Sequence, residues 1–150
     1  MAPRPESVPW KQFVADLLGQ QTFSCNEPLP TLPGWFDRIQ VEQALINMLK
    51  NAHEASGAAA EVELFILCAG AAQRIEVRDR GSGMSQTVLA QALLPFYSTK
   101  RSGTGLGLAL AREIAEAHGG RIQLANREGG GLIVALDLPW SAGSADATVA

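Results

Sequence analysis

The sequence predicts an α+β fold, a two-layer α/β sandwich in which a mixed sheet of about five strands carries three main helices on one face. Two observations carry this expectation. Residues 37–56 place Val41, Leu45, Met48, Leu49 and Ala52 at the 3.6-residue period of a helix with one covered face. Further along, Val62, Leu64, Ile66 and Cys68 alternate with their neighbours, and Ile75 and Val77 follow after a short turn, so residues 61–68 and 74–78 read as a hairpin. Residues 121–125 and 132–138 form a second such pair around a turn at 128–131. At 150 residues, 47% hydrophobic and 18% charged, the chain is long and apolar enough for one domain with a real core.

The remaining elements follow in order. Residues 1–9 hold three prolines and few apolar groups and read as a linker. Trp10, Phe13, Val14, Leu17 and Leu18 recur at helical spacing up to Gly19, so residues 1–20 are expected to be a linker and connecting helix ahead of a domain at 21–140. Residues 21–26 suit an edge strand, and the three prolines of 28–34 make a loop. Asp37, with Gln40 three residues on, suits a capping box for the long helix, and Gly57 stops it. The strand at 61–68 is expected to be covered on both faces toward its end. Short helices are expected at 85–93 and 109–117, a break at His118-Gly119-Gly120, and a frayed tail at 141–150.

Charge and composition exclude several functions. A net charge of -3 offers no polybasic footprint, so nucleic acid is not an expected partner. No apolar run approaches the roughly 20 residues of a membrane span, and no signal peptide opens the chain. Cys25 and Cys68 lack C-x-x-C spacing and read as buried free thiols in a reducing compartment.

Three patches can carry chemistry. Gly103, Gly105 and Gly107 follow Lys100 and Arg101 and lead into a helix, where bare backbone, basic charge and the helix N-terminus suit a phosphate. The same residues also suit a solvated turn. Asn47 and Asn51 lie one helical turn apart, so their amides emerge together on one flank. Amides hold Mg²⁺ or phosphate oxygens, although a solvated helix face needs no ligand. Asp79 ends a strand and opens Gly81-Ser82-Gly83; its carboxylate suits either an adenine amino group or an Asx-type turn. The Walker loop, the dinucleotide fingerprint and H-E-x-x-H are all absent. His118 reads as a helix-end residue and His53 as an exposed one.

The order of the patches is more specific than any one of them. Leu45-Ile46-Asn47-Met48-Leu49-Lys50-Asn51-Ala52, Asp79-Arg80-Gly81-Ser82-Gly83-Met84, Pro95-Phe96-Tyr97-Ser98-Thr99-Lys100 and the 103–108 run together resemble the ATP-binding domain of bacterial sensor histidine kinases. That family shares a superfamily with gyrase, the Hsp90 chaperones and MutL, and the resemblance covers residues 37–139. The short gap between Phe96 and Gly103 is most similar to the nitrogen-regulation group.

The resemblance implies the Bergerat ATP-binding fold, with ATP and Mg²⁺ as cofactors. It implies Asn51 as the metal ligand, Asn47 beside the phosphates, Asp79 on the adenine amino group, and Gly81 and Gly83 along the base. Lys100, Gly103, Thr104, Gly105, Leu106 and Gly107 would form a lid, mobile until nucleotide arrives, with Asn47 and Lys100 serving catalysis. The implied chemistry is γ-phosphoryl transfer to a histidine. At Asn47's position gyrase-like ATPases carry a water-activating glutamate, so little intrinsic hydrolysis is expected. The chain departs from the family at Leu132 and Ile133, where hydroxyl residues are common, and it lacks the phosphoacceptor motif. It therefore resembles a catalytic piece, monomeric by itself. Its implied partners are the histidine-bearing dimerisation domain of a homodimeric full-length protein and a response regulator. Its implied setting is cytoplasmic, with an inner-membrane anchor on the full-length protein as an open alternative. The rival readings are a regulatory nucleotide-binding module and an anti-sigma-type serine kinase.

Overall fold

A computed structural model describes residues 2–57, 61–94 and 107–140. The elements run β1 (Glu6–Val8), α1 (Trp10–Leu18), β2 (Ser24–Cys25), β3 (Gly34–Phe36), α2 (Arg38–Ser56), β4 (Glu63–Ala69), β5 (Ala72–Arg78), α3 (Gln86–Gln91), α4 (Gly107–Ala117), β6 (Arg121–Asn126) and β7 (Leu132–Pro139). The main sheet has five strands in the order β2-β4-β5-β7-β6. Among the described residues only the β2–β4 pairing is parallel, which makes the sheet mixed as expected.

Helix α2 forms where the apolar period places it. Its N-cap, Asp37, accepts from the Gln40 N–H at 3.0 Å, and Gly57 closes the helix with a bond to the His53 carbonyl. Val41, Leu45, Met48, Leu49 and Ala52 are all buried, against Leu64, Ile66, Ile75, Val77, Val134 and Leu136 from the sheet and Ala111, Ile114 and Ala115 from α4. Burial raises the Asp37 pKa, but the backbone N–H groups of Arg4 and Gln40 lower it by more, so the carboxylate lies below its ordinary value.

Four expectations need correction. Residues 6–8 are not linker: β1 pairs antiparallel with β3, which begins at Gly34 where the proline loop ends, and forms a second, two-stranded sheet. That sheet is tied to the first by Gln73 of β5, 0% exposed, whose side chain accepts from the Trp35 N–H and donates to the carbonyls of Trp35 and Pro139. Helix α1 belongs to the same core, with Trp10, Phe13 and Leu17 buried and the Trp10 and Phe13 rings against Phe36. The end of β4 is uncovered, not doubly covered: Leu67, Cys68 and Ala69 are exposed, and the two-residue β2 reaches only as far as Leu64 along that edge. Cys68 is therefore exposed, and Cys25, on the short edge strand β2, is only half-buried, although both are free as expected. No helix among the described residues is long and apolar enough to cross a membrane.

Candidate nucleotide site

The flank of α2 carries the first part of the site. Asn47 and Asn51 are both half-buried at the edge of the covered stripe, and the Gln43 amide reaches Asn47 Oδ1 at 3.5 Å. One further turn along the same line, Ala55 meets the second part. A Cβ on Gly81 would lie 2.5 Å from the Ala55 carbonyl oxygen, so only a glycine lets the turn after β5 approach the helix so closely. The Ser56 hydroxyl accepts from the Arg80 N–H beside it. The helix and the D-x-G-x-G turn are therefore one surface.

Asp79 is 2% exposed. Its Oδ1 accepts from the Gly81 N–H at 2.9 Å and from the Leu132 N–H at 3.1 Å, while its backbone N–H donates to the Leu132 carbonyl. The Asx-type turn is thus present, but it uses one oxygen. Among the described residues nothing donates to Oδ2, and a carboxylate has lone pairs to spare. The backbone of Leu132, at the position where a hydroxyl residue was noted as missing, orients the carboxylate without any side chain.

The third part approaches from α4. His118, just past its end, accepts from the Asp37 N–H through Nε2 at 3.0 Å and meets the Ile114 carbonyl through Nδ1 at 2.8 Å, a geometry that places the ring proton on Nδ1. His118 is structural, as expected, and the contact shows that α4 runs antiparallel to α2. Eleven helical residues rise about 16 Å, which sets Gly107 about level with Asn47 and Asn51. The N-terminal end of α4, with the positive end of its dipole, thus lies about halfway along α2. Lys100, Gly103, Thr104, Gly105 and Leu106, with Phe96 and Tyr97, lie outside the described residues. His53, on the other side of α2 from Asn51, is half-buried rather than exposed, with Nε2 shielded from solvent.

Some residues around Asp79 carry no motif. Arg127 Nη1 donates to the Asp79 carbonyl at 3.0 Å and Nη2 pairs with Glu63. Asn126 accepts from the Met84 N–H at 2.8 Å and donates to the Met84 carbonyl at 2.7 Å. Gly131 has φ +109°, and a Cβ there would sit 2.0 Å from the Asp79 carbonyl oxygen. In the sequence these residues were simply a turn; no local signal joins them to a site about 50 positions earlier. The one hint was the Gly129-Gly130-Gly131 run, longer than a hairpin turn requires.

Comparison with known proteins agrees with this geometry. The model of the histidine kinase-, DNA gyrase B- and HSP90-like ATPase family matches residues 36–142. Sensor histidine kinase ZraS of Escherichia coli K12 is 38% identical over 120 residues, covering 80% of this chain and 25% of that protein. Nitrogen regulation protein NtrY of Azorhizobium caulinodans is 37% identical over 131 residues, 82% of this chain and 17% of that one. The chain thus spans about a quarter or less of these relatives' length. Among solved structures, the nucleotide-free catalytic domain of histidine kinase ThkA superposes with a TM-score of 0.80 at 26% identity, covering 91% of this chain and 96% of the other.

Proposed function

Because the chain belongs to the histidine kinase-, DNA gyrase B- and HSP90-like ATPase family, as the ATP-binding catalytic domain of a sensor histidine kinase, we propose that it transfers the γ-phosphoryl group of ATP to a histidine on a separate dimerisation domain. The observation that carries the reading is Asp79, buried and held through Oδ1, with no donor to Oδ2 among the described residues. Oδ2 would accept from the adenine amino group while Gly81 and Gly83 line the ring. From that end the α2 flank leads to Asn51, which would ligate Mg²⁺, and Asn47, which would hold phosphate oxygens beside the N-terminus of α4. When bound, Mg²⁺ would neutralise charge on the phosphates. Lys100 and the 103–107 run would close over them, Lys100 stabilising charge as the phosphoryl group leaves.

The partners in this reading are the phosphoacceptor domain of a homodimeric full-length protein and, after it, a response regulator. The domain would work on the cytoplasmic side, where ATP is found, with the full-length protein held at the membrane. Asn47 cannot take a proton from water, so the domain should orient the nucleotide without hydrolysing it. Incubation with labelled ATP and a histidine-bearing dimerisation hairpin supplied in trans should yield labelled phosphohistidine and little free phosphate. Rapid hydrolysis, or binding without transfer, would refute phosphotransfer. Asp79→Asn should keep the fold, since an amide oxygen still serves Gly81 and Leu132, but it would set an N–H₂ donor against the adenine amino group. Calorimetry should then show ADP binding weakened by about 100-fold or more; unchanged affinity would refute the adenine assignment.

A further inference from the structure

We infer that Asn126 and Arg127, at the end of β6, are positioning residues for the nucleotide base: they hold the Asp79–Met84 turn in its binding shape. This rests on the reading of Asp79 as the group that meets adenine. The turn has no helix or ladder of its own between β5 and α3, so its shape must come from what it touches. Its two ends are fixed by neighbouring residues of one hairpin. At the far end, Asn126 grips Met84 through both groups of its amide, the pairing a neighbouring strand would make. At the near end, Arg127 bonds the Asp79 carbonyl and is anchored by Glu63, with only 10% of its side chain exposed. In between, the Arg80 guanidinium reaches back to the carbonyls of Glu128 and Gly130.

The fit is close enough to be directional. A Cβ on Gly83 would lie 2.6 Å from Asn126 Oδ1, so the amide sits against the turn backbone with no slack. Releasing Met84 frees Gly83, and releasing the Asp79 carbonyl frees the peptide that carries the carboxylate. Loss of the Asn126 amide removes no core side chain, because Asn126 is exposed and its partners are backbone atoms; Arg127 is largely buried, so its role is read from the nucleotide preference and from the lysine variant. The consequence should therefore fall on the base and not on the fold.

The test is calorimetric titration of the domain with ADP and with GDP, in wild type, Asn126→Ala, Arg127→Leu and Arg127→Lys, alongside thermal unfolding of each. A loss of folded protein would scale both affinities alike and keep their ratio; a misplaced turn lowers the preference for adenine. Asn126→Ala and Arg127→Leu should each weaken ADP binding at least about tenfold and shrink the ADP-over-GDP preference. Arg127→Lys should recover part of it, because one ammonium still reaches the Asp79 carbonyl; it also carries the test if Arg127→Leu does not fold. An unchanged ADP affinity, or equal losses for both nucleotides, would overturn the inference. The premise fails separately: if Asp79→Asn binds ADP as wild type does, the base assignment is wrong. If that variant loses ADP while the Asn126 and Arg127 variants keep it, only the positioning role is wrong.

Discussion

Gly131 sits where a methyl group has no room. Its φ of +109° and the 2.0 Å approach of a would-be Cβ to the Asp79 carbonyl oxygen mean that a side chain would push β7 away from the end of β5. The same displacement would withdraw the Leu132 N–H from Asp79 Oδ1. Gly131→Ala should therefore cost about 1–3 kcal/mol in denaturant unfolding and weaken ADP binding further than the stability loss explains. Normal ADP affinity in the folded variant would show that the carboxylate does not depend on this contact. Asp79 was legible in the sequence as a turn carboxylate followed by glycines. Gly131 was not, because only the folded sheet brings it within reach.

At the scale of elements, legibility followed length and period. Helix α2 declares itself through five apolar residues in phase, a capping aspartate and a closing glycine. Strands β1 and β3, three residues each, are too short to show a period, and the group that fixes them, Gln73, lies on another strand. Strand β5 also carries a charged row on the face away from the helices. Glu76, 6% exposed, receives hydrogen bonds from Arg74 at 2.6 Å and from Arg78 at 2.6 and 2.9 Å, and Arg74 continues to Asp137 of β7. Burial raises the Glu76 pKa, but the two guanidinium groups lower it by more, so it lies below the usual glutamate value in the fold. Its contribution to stability is then full above the unfolded value, about 4.3, and is lost as pH falls through the folded one. Glu76→Gln should be less stable than wild type by about 1–2 kcal/mol at neutral pH. Urea unfolding should show that gap closing as pH drops from about 5 toward 3; a gap independent of pH would mean the carboxylate's charge contributes nothing.

At the scale of the molecule, the order of four short boxes pointed to the family, and the two that lie among the described residues, on α2 and in the turn after β5, meet on one surface. What the order left out is the scaffold behind the walls: the Gln73 tie, the small N-terminal sheet and the residues of the β6–β7 turn. Binding should be visible globally, since a ligand held by the folded state alone stabilises it by about 2.7 kcal/mol at one hundred times its Kd. Saturating ADP with Mg²⁺ should raise the thermal midpoint by roughly 5–10 °C, and Asp79→Asn should show no such rise. The pairing of β5 with β7 has a consequence for how the domain assembles. Hairpins β4–β5 and β6–β7 are local, but Arg78 and Ile133, partners in the ladder between them, stand more than 50 positions apart. Closing that seam carries the largest entropic toll of the sheet, so it belongs late in folding. Asp79 stands on one side of the seam and Leu132 on the other. A newly made chain can thus hold both hairpins while the Asp79 carboxylate still lacks the Leu132 N–H that orients it.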